Sequence, residues 1–115
     1  AFDEEMIGVL TGPAKEALLR KTNPRFVVLK PTLHGGMRGC EEWIRIAESM
    51  GIGWWMTSAL ESSIGLNAIC QFTAEFDLSI PQGLGTGAIY ADNIASPLEV
   101  KDGQIFLDSS KEWQW

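Results

Sequence analysis

The feature that most constrains the fold is an apolar run that ends in a lysine. Residues 25–29 read RFVVL, and Lys30 and Pro31 follow directly. A continuous β-branched and aromatic run is typical of a strand that is buried on both faces, as in parallel sheets. Proline lacks an N–H group and therefore ends the ladder. The sequence predicts a central strand with an ammonium group at its carboxyl end.

Helical patterns flank this strand on both sides. Residues 12–21 have Pro13 near the first helical position, where its missing N–H costs nothing. A second helix over residues 40–50 has an apolar face at helical spacing, made of Cys40, Trp43, Ile44, Ala47 and Met50. Gly51 is expected to end it. A third helix should begin with Ser62 or Ser63 as its cap and present Ile64, Ala68, Ile69, Phe72 and Phe76 as its apolar face.

Further strands follow the second and third helices. Residues 53–58 (GWWMTS) predict a strand with its two tryptophans on opposite faces, and residues 79–82 (SIPQ) predict a shorter one. Residues 98–107 predict a hairpin, because Asp102-Gly103 suits a two-residue turn with positive φ. The opening residues 1–3 resemble the end of a strand. The sequence therefore reads as strands alternating with helices, and then a hairpin.

Alternating strands and helices imply an α/β fold with parallel pairing. Two closures fit, an open doubly wound sheet or part of a (β/α)8 barrel, and in both the active site lies at the carboxyl ends of strands. Those ends are Asp3, Lys30, Thr57-Ser58 and Gln82-Gly83.

The strand ends offer three kinds of chemistry, each with a plainer alternative. Lys30 could serve as a general base, a Schiff-base former or a cation held against developing negative charge, or it could simply extend to solvent. Asp3 could be a ligand of Mg²⁺, or an acid in solvent. Residues 57–63 are rich in hydroxyl groups before a helix, which favours anion binding or simple capping.

Several functions are disfavoured by composition and motif. The net charge of −6 argues against a nucleic-acid partner, and the apolar runs fall far short of a membrane span. GLGTG at 83–87 lacks the GK[ST] of a phosphate loop, and no helix is predicted after it. Cys40 and Cys70 read as reduced core residues, which predicts a cytoplasmic protein. The lone His34 is expected at the surface, and Trp113 and Trp115 are expected to pack on a partner or another part of the protein.

Four stretches in order carry a family resemblance: AFDEE at 1–5, VLKPTL at 28–33 with Gly35-Gly36, TSALESSIGL at 57–66 and IPQGLGT at 80–86. Together they resemble the C-terminal part of the enolase superfamily, in its muconate-lactonizing-enzyme-like subgroup, and within it the o-succinylbenzoate synthase family. The resemblance implies that residues 1–115 form about strands five to eight of a (β/α)8 barrel plus a hairpin. The capping domain and the early strands would be absent from these residues.

The resemblance also implies roles for particular residues. Asp3 matches one of three carboxylates that hold Mg²⁺, and Lys30 matches a catalytic lysine that stabilises an enediolate. Thr57, Ser58 and Gly83 match substrate-binding positions. The implied reaction is dehydration of a small cyclohexadiene carboxylate, and an exposed barrel interior further implies self-association or a missing N-terminal part.

Two alternatives remain open from the sequence. One is an N-succinylamino acid racemase or dipeptide epimerase on the same barrel, although residues 83–86 lack the Asp-x-Asp with which dipeptide epimerases hold the substrate amine. The other is a stand-alone α/β binding domain of the receiver type, with Asp3 as acceptor.

Overall fold

The computed structural model describes residues 1–114, and the prediction made for Trp115 lies outside them. Three helices alternate with two parallel strands, and a hairpin follows. In chain order the elements are α1 Gly12–Thr22, β1 Phe26–Leu29, α2 Gly36–Ser49, β2 Gly53–Met56, α3 Ser63–Thr73, β3 Leu98–Lys101 and β4 Gln104–Leu107. Short 3-10 helices span Glu4–Met6 and Gly85–Ile89. No helix within residues 1–114 is long and apolar enough to cross a bilayer.

The parallel sheet extends beyond its two named strands. Its wall consists of β1, β2 and the segments of Phe2 and Gly83 that pair with them. β1 pairs with β2 in the register Phe26 to Gly53 through Leu29 to Met56. Phe2 forms a parallel bridge with Val27, and Thr57 forms one with Gly83. Four chain segments therefore lie side by side, in the same order as in the sequence. Consecutive order is that of a (β/α)8 wall, whereas receiver-type sheets reverse their order at a switch point.

The two faces of the wall carry different side chains. Val27, Leu29 and Met56 are fully buried in the core with residues of α1 and α2. On the opposite face Phe26 packs on Trp55, with ring centroids 5.8 Å apart. Trp54, on the same face as Val27, packs edge-on against Phe76, with ring centroids 5.3 Å apart. The predicted placement of the two tryptophans on opposite faces is confirmed.

The residues that end the helices have the backbone conformations expected of their types. Asn23 adopts the left-handed conformation after α1, with φ 41°, and donates its N–H to Leu19 O at 2.8 Å. Gly51, with φ 68°, follows α2 as predicted. Asp102 and Gly103 have positive φ in the hairpin turn, as the turn type requires.

Both cysteines are free; Cys40 is buried and Cys70 half-buried.

The predicted strand at 79–82 is wrong. The ladder there is a single bridge at Gly83, because Pro81 has no N–H to donate. The side chain of Gln82 replaces the missing main-chain partner, since its Oε1 accepts the Met56 N–H at 2.6 Å.

Three predictions around α3 and the glycine loop also need correction. Ser62 occupies the N-cap position of α3 as predicted, but its side chain makes no capping hydrogen bond; Asn93 Oδ1 accepts the Ser63 N–H instead, at 2.8 Å. The buried positions of α3 are Leu66, Ile69 and Thr73, whereas Ile64 is 43% exposed. A short 3-10 helix, Gly85–Ile89, begins within GLGTG and continues beyond it, where no helix was predicted.

Candidate active site

The structure brings the two charged strand ends together. Lys30 Nζ lies 2.7 Å from Asp3 Oδ1, with the side chains 15% and 38% exposed. Parallel pairing explains the contact, because Phe2 N donates to Phe26 O at 2.9 Å and Val28 N donates to Phe2 O at 2.7 Å. The two strands thus end on the same edge, with Asp3 and Lys30 on the same face. An ammonium and a carboxylate share a site that water reaches only in part.

His34 is buried against this pair, which corrects its predicted surface position. Its side chain is 3% exposed, and its Nδ1 accepts the Lys30 N–H at 3.0 Å. Burial lowers the pKa of the ring, while the nearby Asp3 carboxylate acts in the opposite direction. Sequence reasoning missed His34 because its partner is a main-chain group, which leaves no trace in residue spacing.

Thr57 and Gly83 form the next part of the wall. Gly83 N donates to Met56 O at 2.8 Å, and Thr57 Oγ1 donates to Gly83 O at 2.7 Å. A Cβ at Gly83 would lie 2.9 Å from Thr57 Oγ1, so the close approach needs glycine. The predicted substrate-binding positions therefore lie side by side, although their hydrogen bonds are used within the wall.

Ser58 connects this edge to the glycine loop. Its side chain is buried, its hydroxyl is hydrogen-bonded to that of Thr86, and its Oγ accepts the Leu60 N–H at 3.4 Å. The buried Ser58 hydroxyl is therefore satisfied by its neighbours. Thr86 is a site neighbour that the sequence reasoning did not single out.

A hydrogen bond joins the two loops that follow β1 and β2. Thr32 Oγ1 donates to Glu61 Oε1 at 2.5 Å, which connects the loop after Lys30 to the loop after Ser58. The link fixes the two loops that follow neighbouring strands.

Asp3 is the candidate magnesium ligand among the strand-end residues. Asp3 offers a carboxylate at a strand end, the hard oxygen ligand that Mg²⁺ prefers. Residues 1–114 contain no group of three His, Cys, Asp or Glu side chains that could hold a metal ion. Asp3 therefore fits as one ligand, and other ligands would have to come from outside the described residues.

Comparison with known proteins places the wall in a family. No protein-family model matches the chain. The chain is 48% identical over 105 residues to an o-succinylbenzoate synthase of Desulfotalea psychrophila, a match covering 91% of this chain and 28% of that relative. The crystal structure of MenC from the same organism superposes with a TM-score of 0.85 and 47% identity, over 90% of this chain and 29% of that one. The chain corresponds to the C-terminal part of an enolase-superfamily barrel.

Other relatives agree at greater distance. The o-succinylbenzoate synthase of Haemophilus influenzae is 37% identical over 60 residues, which cover 52% of this chain and 18% of that relative. The L-Ala-D/L-Glu epimerase from Bacillus subtilis superposes with a TM-score of 0.74 at 20% identity, over 91% of this chain and 29% of that one, which shows the shared fold alone. The chain spans less than a third of the length of these synthases.

Proposed function

We propose that a complete protein carrying this sequence is an o-succinylbenzoate synthase. It would remove water from 2-succinyl-6-hydroxy-2,4-cyclohexadiene-1-carboxylate to give o-succinylbenzoate, a step of menaquinone biosynthesis in the cytoplasm. The observation that carries the proposal is the Lys30–Asp3 pair at 2.7 Å, in a chain 48% identical to a synthase of that name.

Lys30 has the central role in the proposed reaction. Removing a proton α to a carboxylate produces an enediolate with two negative charges, and the Lys30 ammonium group would offset part of that charge. Its partial burial strengthens the interaction, because a partly desolvated cation acts through a lower effective dielectric constant. A Mg²⁺ ion held by Asp3 and further carboxylates would supply a second positive charge on the substrate carboxylate.

Thr57, Ser58 and Gly83 would shape the floor of the substrate site. Their hydroxyl and main-chain groups are already paired within the wall, as in the 2.7 Å bond from Thr57 Oγ1 to Gly83 O. Such pairing holds neighbouring strand ends in fixed positions beside Lys30. We infer that these residues contact the substrate through surface shape rather than through hydroxyl groups left free for it.

The 115 residues alone are expected to be inactive. They supply one carboxylate and one lysine of the implied set, and no metal-binding group of three lies within residues 1–114. Mg²⁺ binding by this chain alone should be weak or absent in calorimetry. Turnover by the purified 115-residue chain would contradict this expectation.

The test uses the longest natural chain that contains this sequence. It is assayed with the cyclohexadiene carboxylate and with an N-succinylamino acid, each with and without Mg²⁺. We expect metal-dependent release of o-succinylbenzoate. Racemisation without any dehydration would contradict the proposal and favour the racemase alternative.

A further inference from the structure

We propose that His34 is a positioning residue, which fixes Lys30 and Asp3 relative to each other at the ends of neighbouring strands. The proposal rests on the proposed function for its kinetic consequence, but its structural basis is independent of that function. It assigns a role to a buried polar side chain that the proposed chemistry does not use directly.

The His34 turn binds both main-chain groups of Lys30. The ring Nδ1 accepts the Lys30 N–H at 3.0 Å, and the His34 N–H donates to Lys30 O at 3.0 Å. Leu33 N donates to the same oxygen at 2.9 Å. Beyond the last sheet residue, the backbone of Lys30 is therefore held by the turn that follows it, and the ring is part of that turn.

The same ring lies close to Asp3. Because Nδ1 accepts a hydrogen bond, the ring hydrogen of the neutral form is on Nε2. Nε2 is buried and has no hydrogen-bond partner, and Asp3 lies close enough for its carboxylate to act on the pKa of the ring. One imidazole thus binds the backbone of Lys30 and lies close to Asp3, and the side chains of these two residues form the 2.7 Å pair.

The turn is itself fixed against α2. A Cβ at Gly39 would lie 2.2 Å from His34 O, so the turn packs on the helix backbone at a point where only glycine fits. Gly36 N also donates to Pro31 O at 2.8 Å. The ring therefore has a rigid support, as a group that positions catalytic side chains requires.

The experiment compares two substitutions in the longest natural chain that contains this sequence. His34→Leu keeps approximate volume and removes both ring nitrogens, whereas His34→Asn keeps a side-chain acceptor near the position of Nδ1. We expect His34→Leu to lower kcat by about tenfold or more, with KM changed less than about threefold, as for other supporting residues. His34→Asn should recover much of the loss. Met37→Ala, an exposed change on the following helix, is the matched control and should stay within about twofold.

Two kinetic results would overturn the proposal. One is a folded His34→Leu variant with unchanged kcat, and the other is an equal loss in both His34 variants. A second measurement needs no activity: ¹⁵N spectra of the imidazole at neutral pH, assigned with His34→Asn, should show Nδ1 unprotonated and Nε2 protonated. The opposite tautomer would overturn the proposal. Absence of dehydration by the unsubstituted protein, with the expected tautomer, would instead count against the proposed function.

Discussion

Gly83 shows how closely neighbouring residues approach at the strand ends. An added methyl group would lie 2.9 Å from Thr57 Oγ1 and 3.1 Å from Thr57 Cβ, whereas at Gly85 it would meet nothing within 4 Å. We therefore predict that Gly83→Ala lowers the free energy of unfolding by about 1 to 3 kcal/mol. Gly85→Ala should change it by no more than about 0.5 kcal/mol. Urea denaturation of both variants checks this, and equal effects would contradict it.

Cys40 gives a prediction about pH. Burial raises the pKa of its thiol from 9.0 to about 12. The folded-state pKa lies above the unfolded one, so the contribution to stability is complete below pH 9 and is lost as pH rises from 9 towards 12. The advantage in unfolding free energy over Cys40→Ala should shrink by about 1 kcal/mol between about pH 8.5 and 10. A difference independent of pH would show that the thiol ionises in the folded state.

The residue-level chemistry could be predicted only where side chains act alone. Lys30 and Asp3 stood out because a charge at a strand end is unusual, and the structure places them together. His34 and Thr86 did not stand out, because their partners are a main-chain N–H and a buried hydroxyl from a distant part of the chain. The Ser58–Thr86 pairing depends on how neighbouring strands align, and the Lys30–His34 pairing depends on the turn after β1; residue spacing shows neither.

Helices α1 and α2 are joined by an ion pair at their interface. Lys15 is 2% exposed, and its Nζ lies 2.7 Å from Glu42 Oε2, 3.2 Å from Gly39 O and 5.3 Å from the centre of the Trp43 ring. We predict that Glu42→Gln destabilises the protein by about 1 to 2 kcal/mol, because it leaves a buried ammonium without its counter-charge.

The matched variant is Lys15→Met, which approximates the length of the side chain and removes the charge. It should cost less than Glu42→Gln, since no buried charge is left unpaired. Thermal denaturation of the two variants compares them. A larger loss for Lys15→Met would show that the attraction exceeds the desolvation cost at this interface.

A strand, helix or turn could be predicted where a single local sequence pattern specifies it. The run RFVVL, the helical spacing of Trp43, Ile44 and Ala47, and the Asp102-Gly103 turn each gave the observed element. The predicted strand at 79–82 failed because a side-chain oxygen of Gln82 substitutes for a strand partner. Ser62 is the N-cap residue of α3 as predicted, but the side-chain oxygen that binds the helix start comes from Asn93, thirty residues from Ser63.

The whole molecule leaves part of its wall uncovered. Phe26 and Trp55 are half-buried on the face opposite the helices, and the segments of Phe2 and Gly83 are the outermost ones of the described wall. Open strand edges and uncovered aromatic side chains favour association. We predict that the purified 115-residue chain self-associates in sedimentation velocity, with an average mass that rises with concentration. A monodisperse monomer at all concentrations would contradict this.

We infer that a dehydratase carrying this sequence uses Lys30, beside Asp3, for its chemistry. The most direct measurement is kcat for the cyclohexadiene carboxylate in Lys30→Ala and Lys21→Ala forms of the longest natural chain that contains this sequence. Lys21 is an exposed lysine on α1 and provides the matched control. We expect Lys30→Ala to lose at least about a thousandfold in kcat with its fold intact, because a charge-stabilising group is removed, while Lys21→Ala retains full activity. A folded Lys30→Ala variant that turns over within about tenfold of the unsubstituted protein would contradict it.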